Sequence, residues 1–176
     1  VEASSGEYLL FLNPDCICFG DLFEKLAEFL DNNPQAGIVG GMLLGEDGKE
    51  QGGGRRAEPT IWRAFTRASG LWRLWRRSDY HLEYQKTSKE PVEVDAVSGA
   101  CLMIRREVFK EIGGFDEGYF LHCEDLDLCL TAKRRGWQVW CSPDARVFHS
   151  KGVCGTDKSL FVEWHKHRGM LRFFQK

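Results

Sequence analysis

Nothing in these 176 residues stays apolar for the ~18 positions that a membrane-spanning helix needs. Proline is scarce, at five residues, and even with 19 glycines the composition is far from that of disordered or collagen-like chains. Neither sign of charge is in large excess: 24 Lys and Arg face 26 Asp and Glu, a net charge of -2, which excludes a globally basic nucleic-acid binder. The opening Val1-Glu2-Ala3-Ser4-Ser5-Gly6-Glu7 has no basic stretch ahead of an apolar one, so it does not read as a signal peptide. It also lacks an initiator Met, as expected of a chain cut from something longer. No Cys-x-x-Cys occurs among the seven cysteines, an odd number. That usage predicts reduced thiols acting as small hydrophobic side chains in a reducing, cytoplasmic compartment.

What is there suits a globular α/β domain. The chain is 43% hydrophobic and 12% aromatic, and a domain of this length buries roughly 70% of its unfolded surface. Tyr8 to Leu12 is an unbroken apolar run ending at Asn13-Pro14-Asp15, which predicts a strand buried on both faces. Asp21 stands as N-cap before Leu22, Phe23, Leu26, Phe29 and Leu30, a helical spacing that ends at Asn32-Asn33-Pro34. Ala36 to Gly40 reads as a second strand, and strand, helix, strand is an α/β signature. Val92 to Val97 alternates as a strand, and Cys101 to Ile104 is another. Arg105 to Ile112 reads as a helix stopped by Gly113-Gly114. A helix opens at Glu124, with Gly136 past its end. Trp137 to Cys141 and Ala145 to Phe148 are strand-like, and Ser159 to Lys176 is an amphipathic helix with basic and aromatic residues.

One segment differs in kind. Residues 54–77 hold seven Arg and one Glu, interleaved with Trp62, Phe65, Leu71, Trp72, Leu74 and Trp75. The plain structural reading packs the Trp side chains into the core and leaves Arg in solvent. The alternative is a basic face for a membrane surface or another anionic partner.

Three features stand apart from core building. Asp15 follows the carboxyl end of a strand, where open α/β sheets bind ligands, and a carboxylate there can hold a hard divalent cation; a plain Asn-Pro-Asp turn is the other reading. Glu124-Asp125-Leu126-Asp127 opens a helix, where acids also serve the macrodipole. The preceding Tyr119-Phe120-Leu121-His122 offers a pocket wall that raises a carboxylate's pKa. His149 closes a strand, either as a structural residue or as a neutral imidazole for a metal shell.

These stretches, in this order, resemble the C-terminal two-thirds of a family 2 glycosyltransferase of the GT-A fold, closest to the rhamnosyltransferase-like members that build bacterial polysaccharides. The resemblance is carried by Gly6 to Asp15, Val97 to Arg106, Ile112 to Glu117, Glu124 to Leu128 and Pro143 to His149. It implies a mixed sheet flanked by helices and an inverting transfer of a sugar, rhamnose among the candidates, from a nucleotide-diphosphate donor to a glycan or lipid-linked acceptor. Asn13-Pro14-Asp15 takes the place of the family's Asp-x-Asp, so Asp15 is the expected ligand for Mg2+ or Mn2+, with His149 joining it. Asp125 is the expected general base and Glu124 the second choice. Asn13, Ser98, Gly99 and Ala100 are expected to line the donor, Gly99 by permitting close backbone approach.

The resemblance also implies departures. The place where relatives carry Arg in the acidic helix holds Thr131. The family's nucleotide-binding strands fall before Val1 in its pattern, so residues 1–176 read as a single incomplete domain, expected to be inactive alone and to bind sugar nucleotides poorly. The apolar edge at Tyr8 to Leu12 is then left unpaired or covered by a homodimer. In the whole enzyme, residues 55–77 are expected to bring the site to the inner face of a membrane. Two other functions fit the residues. A non-catalytic carbohydrate- or membrane-surface-binding module would depend on Arg67 and Trp72 and not on the acids. A metal-dependent phosphohydrolase would use Asp15, Asp125 and His149, without the dense Asp and His clusters of two-metal sites.

Overall fold

The computed structural model describes residues 3–60, 89–150 and 160–176, together with Val1 and Trp62. In chain order they form β1 (Tyr8–Leu12), β2 (Cys16–Cys18), α1 (Leu22–Asn32), β3 (Ala36–Leu44), β4 (Arg55–Arg56), β5 (Val92–Glu93), β6 (Ala96–Val97), β7 (Cys101–Arg105), α2 (Arg106–Glu111), α3 (Glu124–Arg134), β8 (Gln138–His149) and α4 (Leu160–Gln175). Apart from residues 54–60 and Trp62, the Arg/Trp segment lies outside the described residues, Arg67 and Trp72 included.

Six strands make one mixed sheet in the order β1-β7-β3-β8-β2, with β5 also on β8, while β4 and β6 pair as a separate ribbon. β3 and β8 run parallel and the other pairs antiparallel. β3 carries no polar side chain because it is central: all but its last residue is buried. Its two faces feed two apolar layers. On one side Leu22, Leu26 and Leu30 of α1, spaced one helical turn apart, close over Val39, Leu43, Met103 and Val147. On the other, Leu126, Cys129 and Ala132 of α3 cover Ile38, Leu102, Ile104 and Val139. The six described cysteines are free, four of them buried.

Several sequence expectations change in detail. β1 is not buried on both faces: Leu9 is its one buried residue, and the strand ends the sheet with β7 on one side. Its other edge has no partner among the described residues. Asp21 holds the N-cap position of α1 without a capping bond, because its carboxylate pairs with Lys25 at 2.9 Å. The alternating run Val92 to Val97 splits. β5 adds to β8, and the chain then turns at Asp95 so that Ala96 and Val97 join β4. The two strand-like runs after Trp137 are one strand, β8, in which the register against β3 jumps from Gly41↔Ser142 to Met42↔Arg146. Pro143, Asp144 and Ala145 bulge out at that jump.

Thr131, where an Arg is expected, lies one helical turn beyond Asp127. The cation comes from elsewhere: Lys176, just after α4, places Nζ 2.7 Å from the Asp127 carboxylate. The buried hydroxyl of Tyr119 donates to the same group at 3.2 Å.

Candidate active site

A cleft of about 540 Å³ opens at the carboxyl end of β1 and is walled by Leu10–Asn13, Ser98–Ala100, Phe115, His122, Glu124, Asp125 and His149. Seven of the eight residues expected from the sequence meet there. The eighth, Asp15, places Oδ1 3.5 Å from His149 Nε2, at the same end of the cleft.

The carboxylates arrive by an abrupt start of α3. His122 and Cys123 both adopt the left-handed backbone, φ 65° and 71°, a conformation that costs residues with a side chain about 1–2 kcal/mol each. α4 backs this turn closely. A Cβ added at Gly169 would stand 3.2 Å from the His122 carbonyl oxygen and 3.4 Å from Cys123 Sγ. The turn aims Glu124 and Asp125 into the cleft, while Phe120 turns outward, 71% exposed.

The two adjacent acids then have opposite environments. Asp125 Oδ2 accepts from Arg56 Nη2 at 2.6 Å and from the Gly99 N–H at 2.9 Å, and Oδ1 accepts from the Leu126 N–H at 2.8 Å. Burial pushes its carboxyl up, but the Arg56 charge and these hydrogen bonds outweigh burial and hold it below the usual carboxylate range. Glu124 is raised, by burial first and by the neighbouring Asp125 charge second. Its Oε2 is shielded from water and has no hydrogen-bond partner among the described residues. The expected raised carboxylate is therefore Glu124. Two titratable groups pushed apart in this way are the raw material of acid–base chemistry.

Gly99 proves useful for its N–H. An added Cβ would make only ordinary contact, 3.5 Å from Asp125 Cβ, so packing does not demand glycine there. Ser98 Oγ accepts from the Ala100 N–H at 3.2 Å and stiffens the same turn.

At the other end, Gln51 fixes His149. Its amide nitrogen donates to the His149 carbonyl at 3.0 Å, so its Oε1 is left to accept from His149 Nδ1 at 2.6 Å. That pair of bonds assigns the tautomer: Nδ1 carries the proton and Nε2 presents a lone pair toward Asp15. A lone pair and a carboxylate oxygen facing each other suit a divalent cation, and a histidine oriented through its second nitrogen is the usual support of a metal ligand. Asp15, Cys16 and His149 form one group of potential ligands. Cys16 fits poorly, because burial and the Asp15 charge push its thiol up to about 11 and its Sγ donates to the Ala100 carbonyl at 3.3 Å. The donor pair left, carboxylate and imidazole, fits Mg2+ or Mn2+.

Sequence reasoning missed Arg56 and Gln51, the residues that position Asp125 and His149. Both lie in the polar, Gly-rich stretch after β3, where no periodicity marks a residue as buried. Arg56 was hidden among the other arginines of residues 54–77.

Comparison with known proteins bears on the family and the fold. The sequence model of the family described as "Glycosyltransferase like family 2" matches residues 1–168. An N-acetylglucosaminyl-diphospho-decaprenol L-rhamnosyltransferase of Mycobacterium tuberculosis is 32% identical over 162 residues, covering 90% of this chain and 52% of the relative. The rhamnosyltransferase WbbL of Escherichia coli is 26% identical over 176 residues, covering 92% of this chain and 60% of its own. The chain thus spans about half the length of the curated relatives it matches. Among solved structures, GalNAc-T7 with UDP, GalNAc and Mn2+ superposes with a TM-score of 0.61 at 18% identity, over 97% of this chain and 32% of that one, a likeness of fold. The chain has the mixed α/β architecture of the GT-A fold and belongs to the glycosyltransferase family 2.

Proposed function

We propose that the protein containing these residues transfers a sugar, with rhamnose the first candidate, from a nucleoside-diphosphate donor to a glycan or lipid-linked acceptor. The observation that carries this reading is the convergence of Asn13, Ser98–Ala100, Glu124, Asp125 and His149 on one cleft, with Asp15 beside it. The rhamnosyltransferase names of two relatives, one with a decaprenol-linked substrate in its name, support the sugar and the lipid. On this reading a lipid-linked acceptor would bring the reaction to a membrane surface, with the inner face the side we propose.

In an inverting transfer the acceptor oxygen attacks the anomeric carbon as the bond to the diphosphate breaks. The diphosphate leaves with the electron pair, and the hydroxyl proton passes to a carboxylate. Asp125 is that carboxylate in the first reading: it is ionised at neutral pH, and Arg56, Gly99 and Leu126 hold it in a single orientation. The unpartnered Oε2 of Glu124 favours a second reading, in which the raised carboxyl takes the proton and Asp125 is a fixed anion beside it. Asp15 and His149 would hold the cation, which supplies charge stabilisation to a departing diphosphate when bound. Asn13 and the Ser98–Ala100 turn face the donor.

The test is a radiolabelled-donor assay on the full product of the open reading frame that encodes these residues. Asp125→Asn is expected to keep donor binding and lose transfer, and wild-type turnover by that variant would refute the assignment. A non-catalytic module would be indifferent to Asp125→Asn and Glu124→Gln alike.

A further inference from the structure

α4 is apolar on two opposite sides. Gly169 and Phe173 are buried against the body of the protein. On the far side Leu160, Trp164 and Leu171 stand 89%, 56% and 60% exposed, and helical geometry places the three within about 40° of arc. Phe161 and Phe120 widen the patch: their rings lie 5.9 Å apart, and the His165 ring sits 4.4 Å from each. A helix that docks with one face normally offers charged and polar groups on the other. This one offers a second apolar stripe.

We propose that this outer face of α4 seats the protein on an anionic lipid bilayer. Charge selects that occupant. Glu163 is the one acid in the helix, and Lys166 pairs with it at 3.3 Å. Arg172 and Lys176 are engaged with Asp116 on the inner side. Arg168 stays on the rim of the apolar stripe, its guanidinium 5.4 Å above the Trp164 ring, with no acidic partner among the described residues. Leu and Trp projecting into the acyl boundary, with Arg and His at headgroup level, are the chemistry of an interfacial helix. The helix is a different stretch of sequence from residues 55–77. It is also close to the cleft: Gly169 touches His122, a cleft residue, so a bilayer under α4 lies one helix away from Glu124 and Asp125. The inference leans on the proposed transfer only for its purpose, delivery of a lipid-linked acceptor.

The experiment is co-sedimentation of the full open-reading-frame product with vesicles of phosphatidylcholine and phosphatidylglycerol mixed three to one, against phosphatidylcholine alone. Binding to the mixed vesicles that weakens as salt rises is expected. Trp164→Ser and Leu171→Ser should each reduce partitioning by about 10-fold, and Arg168→Glu by about 5-fold. All three side chains point outward, so unchanged circular dichroism serves as the folding control. No binding by the wild type, or binding that none of the three substitutions weakens, overturns the proposal. Salt-independent binding to neutral vesicles overturns its electrostatic half. Self-association that these substitutions abolish, without vesicle binding, assigns the face to a second copy and also overturns it. Vesicle binding is read without donor or acceptor. Its survival alongside a failed transfer assay would therefore strike the proposed function alone.

Discussion

The two ends of the cleft are built on opposite plans. At the α3 end, Asp125 has both oxygens engaged by three donors and stands 11% exposed beside an Arg56 side chain 12% exposed. At the β8 end, Asp15 and His149 are more open, 20% and 16% exposed, and face one another as two acceptors 3.5 Å apart. Asp125 is complete without a ligand, although Glu124 beside it keeps one oxygen unpartnered among the described residues. The second end pairs a carboxylate oxygen with an imidazole lone pair that, among the described residues, meets only the Asn13 amide, at 3.5 Å, an arrangement that a divalent cation would complete. Completeness suits a group that must hold its direction while a proton arrives, and incompleteness suits a group whose work is binding.

The largest effect should come from the α3 end. Asp125→Asn removes the negative charge that Arg56 and Gly99 organise, and turns one carboxylate oxygen into an NH2 that meets donors. Transfer should fall by ~10²–10⁴-fold, the usual contribution of a general base. Glu124→Gln sets the two acids against each other. If Asp125 is the base, Glu124→Gln costs much less than Asp125→Asn. An equal or larger loss moves the proton to Glu124.

Arg56→Met tests the same end through stability and pH. Breaking a buried pair by removing one partner costs about 3 kcal/mol, measurable by urea unfolding. The pH dependence should change as well. In the wild type the folded pKa of Asp125 is lowered, so its contribution is present above the ordinary carboxylate range and is lost only as pH falls through the lower folded value. Without Arg56 the burial that pushes the carboxyl up is less opposed. The variant should lose stability and activity at mildly acidic pH where the wild type keeps both. An unchanged acid limb in the pH–rate profile would show that Arg56 does not tune Asp125.

The β8 end should respond in metal affinity and not in proton chemistry. Gln51→Leu removes the acceptor that holds the proton on His149 Nδ1, and support of this kind is worth ~10–100-fold in metal affinity. Titration calorimetry with Mn2+ measures it. Undiminished affinity would mean that the tautomer is held some other way.

The difference between the ends also explains what was legible in the sequence. Asp15, Asp125 and His149 sit at ends of elements, and the ends of β1, α3 and β8 announce themselves by a halt in apolar periodicity. Their supporters do not. Gln51 reaches His149 across 98 positions and Arg56 reaches Asp125 across 69, contacts that exist only once β8 and α3 are in place. Alternation in Val92 to Val97 was real, but the pattern of one strand cannot show that its halves join different partners, β8 and β4. β1 is less buried than its apolar run suggests for a related reason: such a run reports composition, and exposure depends on which strands stand beside it.

The smallest effect separates the two ends through α4. The Glu124 and Asp125 end depends on the left-handed turn at His122 and Cys123, which Gly169 of α4 backs. α4 is in turn tied down by Asp116, whose carboxylate takes Arg172 in two bonds of 2.9 and 3.0 Å and also takes Lys176. These partners, Lys176 first, hold the Asp116 carboxyl at about 2, opposed only in part by burial. A lowered folded pKa means that the tie is in full force above the ordinary carboxylate value near 3.8 and is lost as pH falls toward about 2. Near-surface ion pairs contribute little, about 0.2–1 kcal/mol each, so Asp116→Asn should loosen α4 without unfolding the domain. Amide exchange in Leu160–Gln175 should then quicken at neutral pH, and wild-type exchange should approach it only in strong acid. Because Asp15, Gln51 and His149 bond to one another and share no hydrogen bond or ion pair with α4 among the described residues, Mn2+ affinity should be unchanged while transfer declines. A matched decline in both would show that the two ends of the cleft are one mechanical unit.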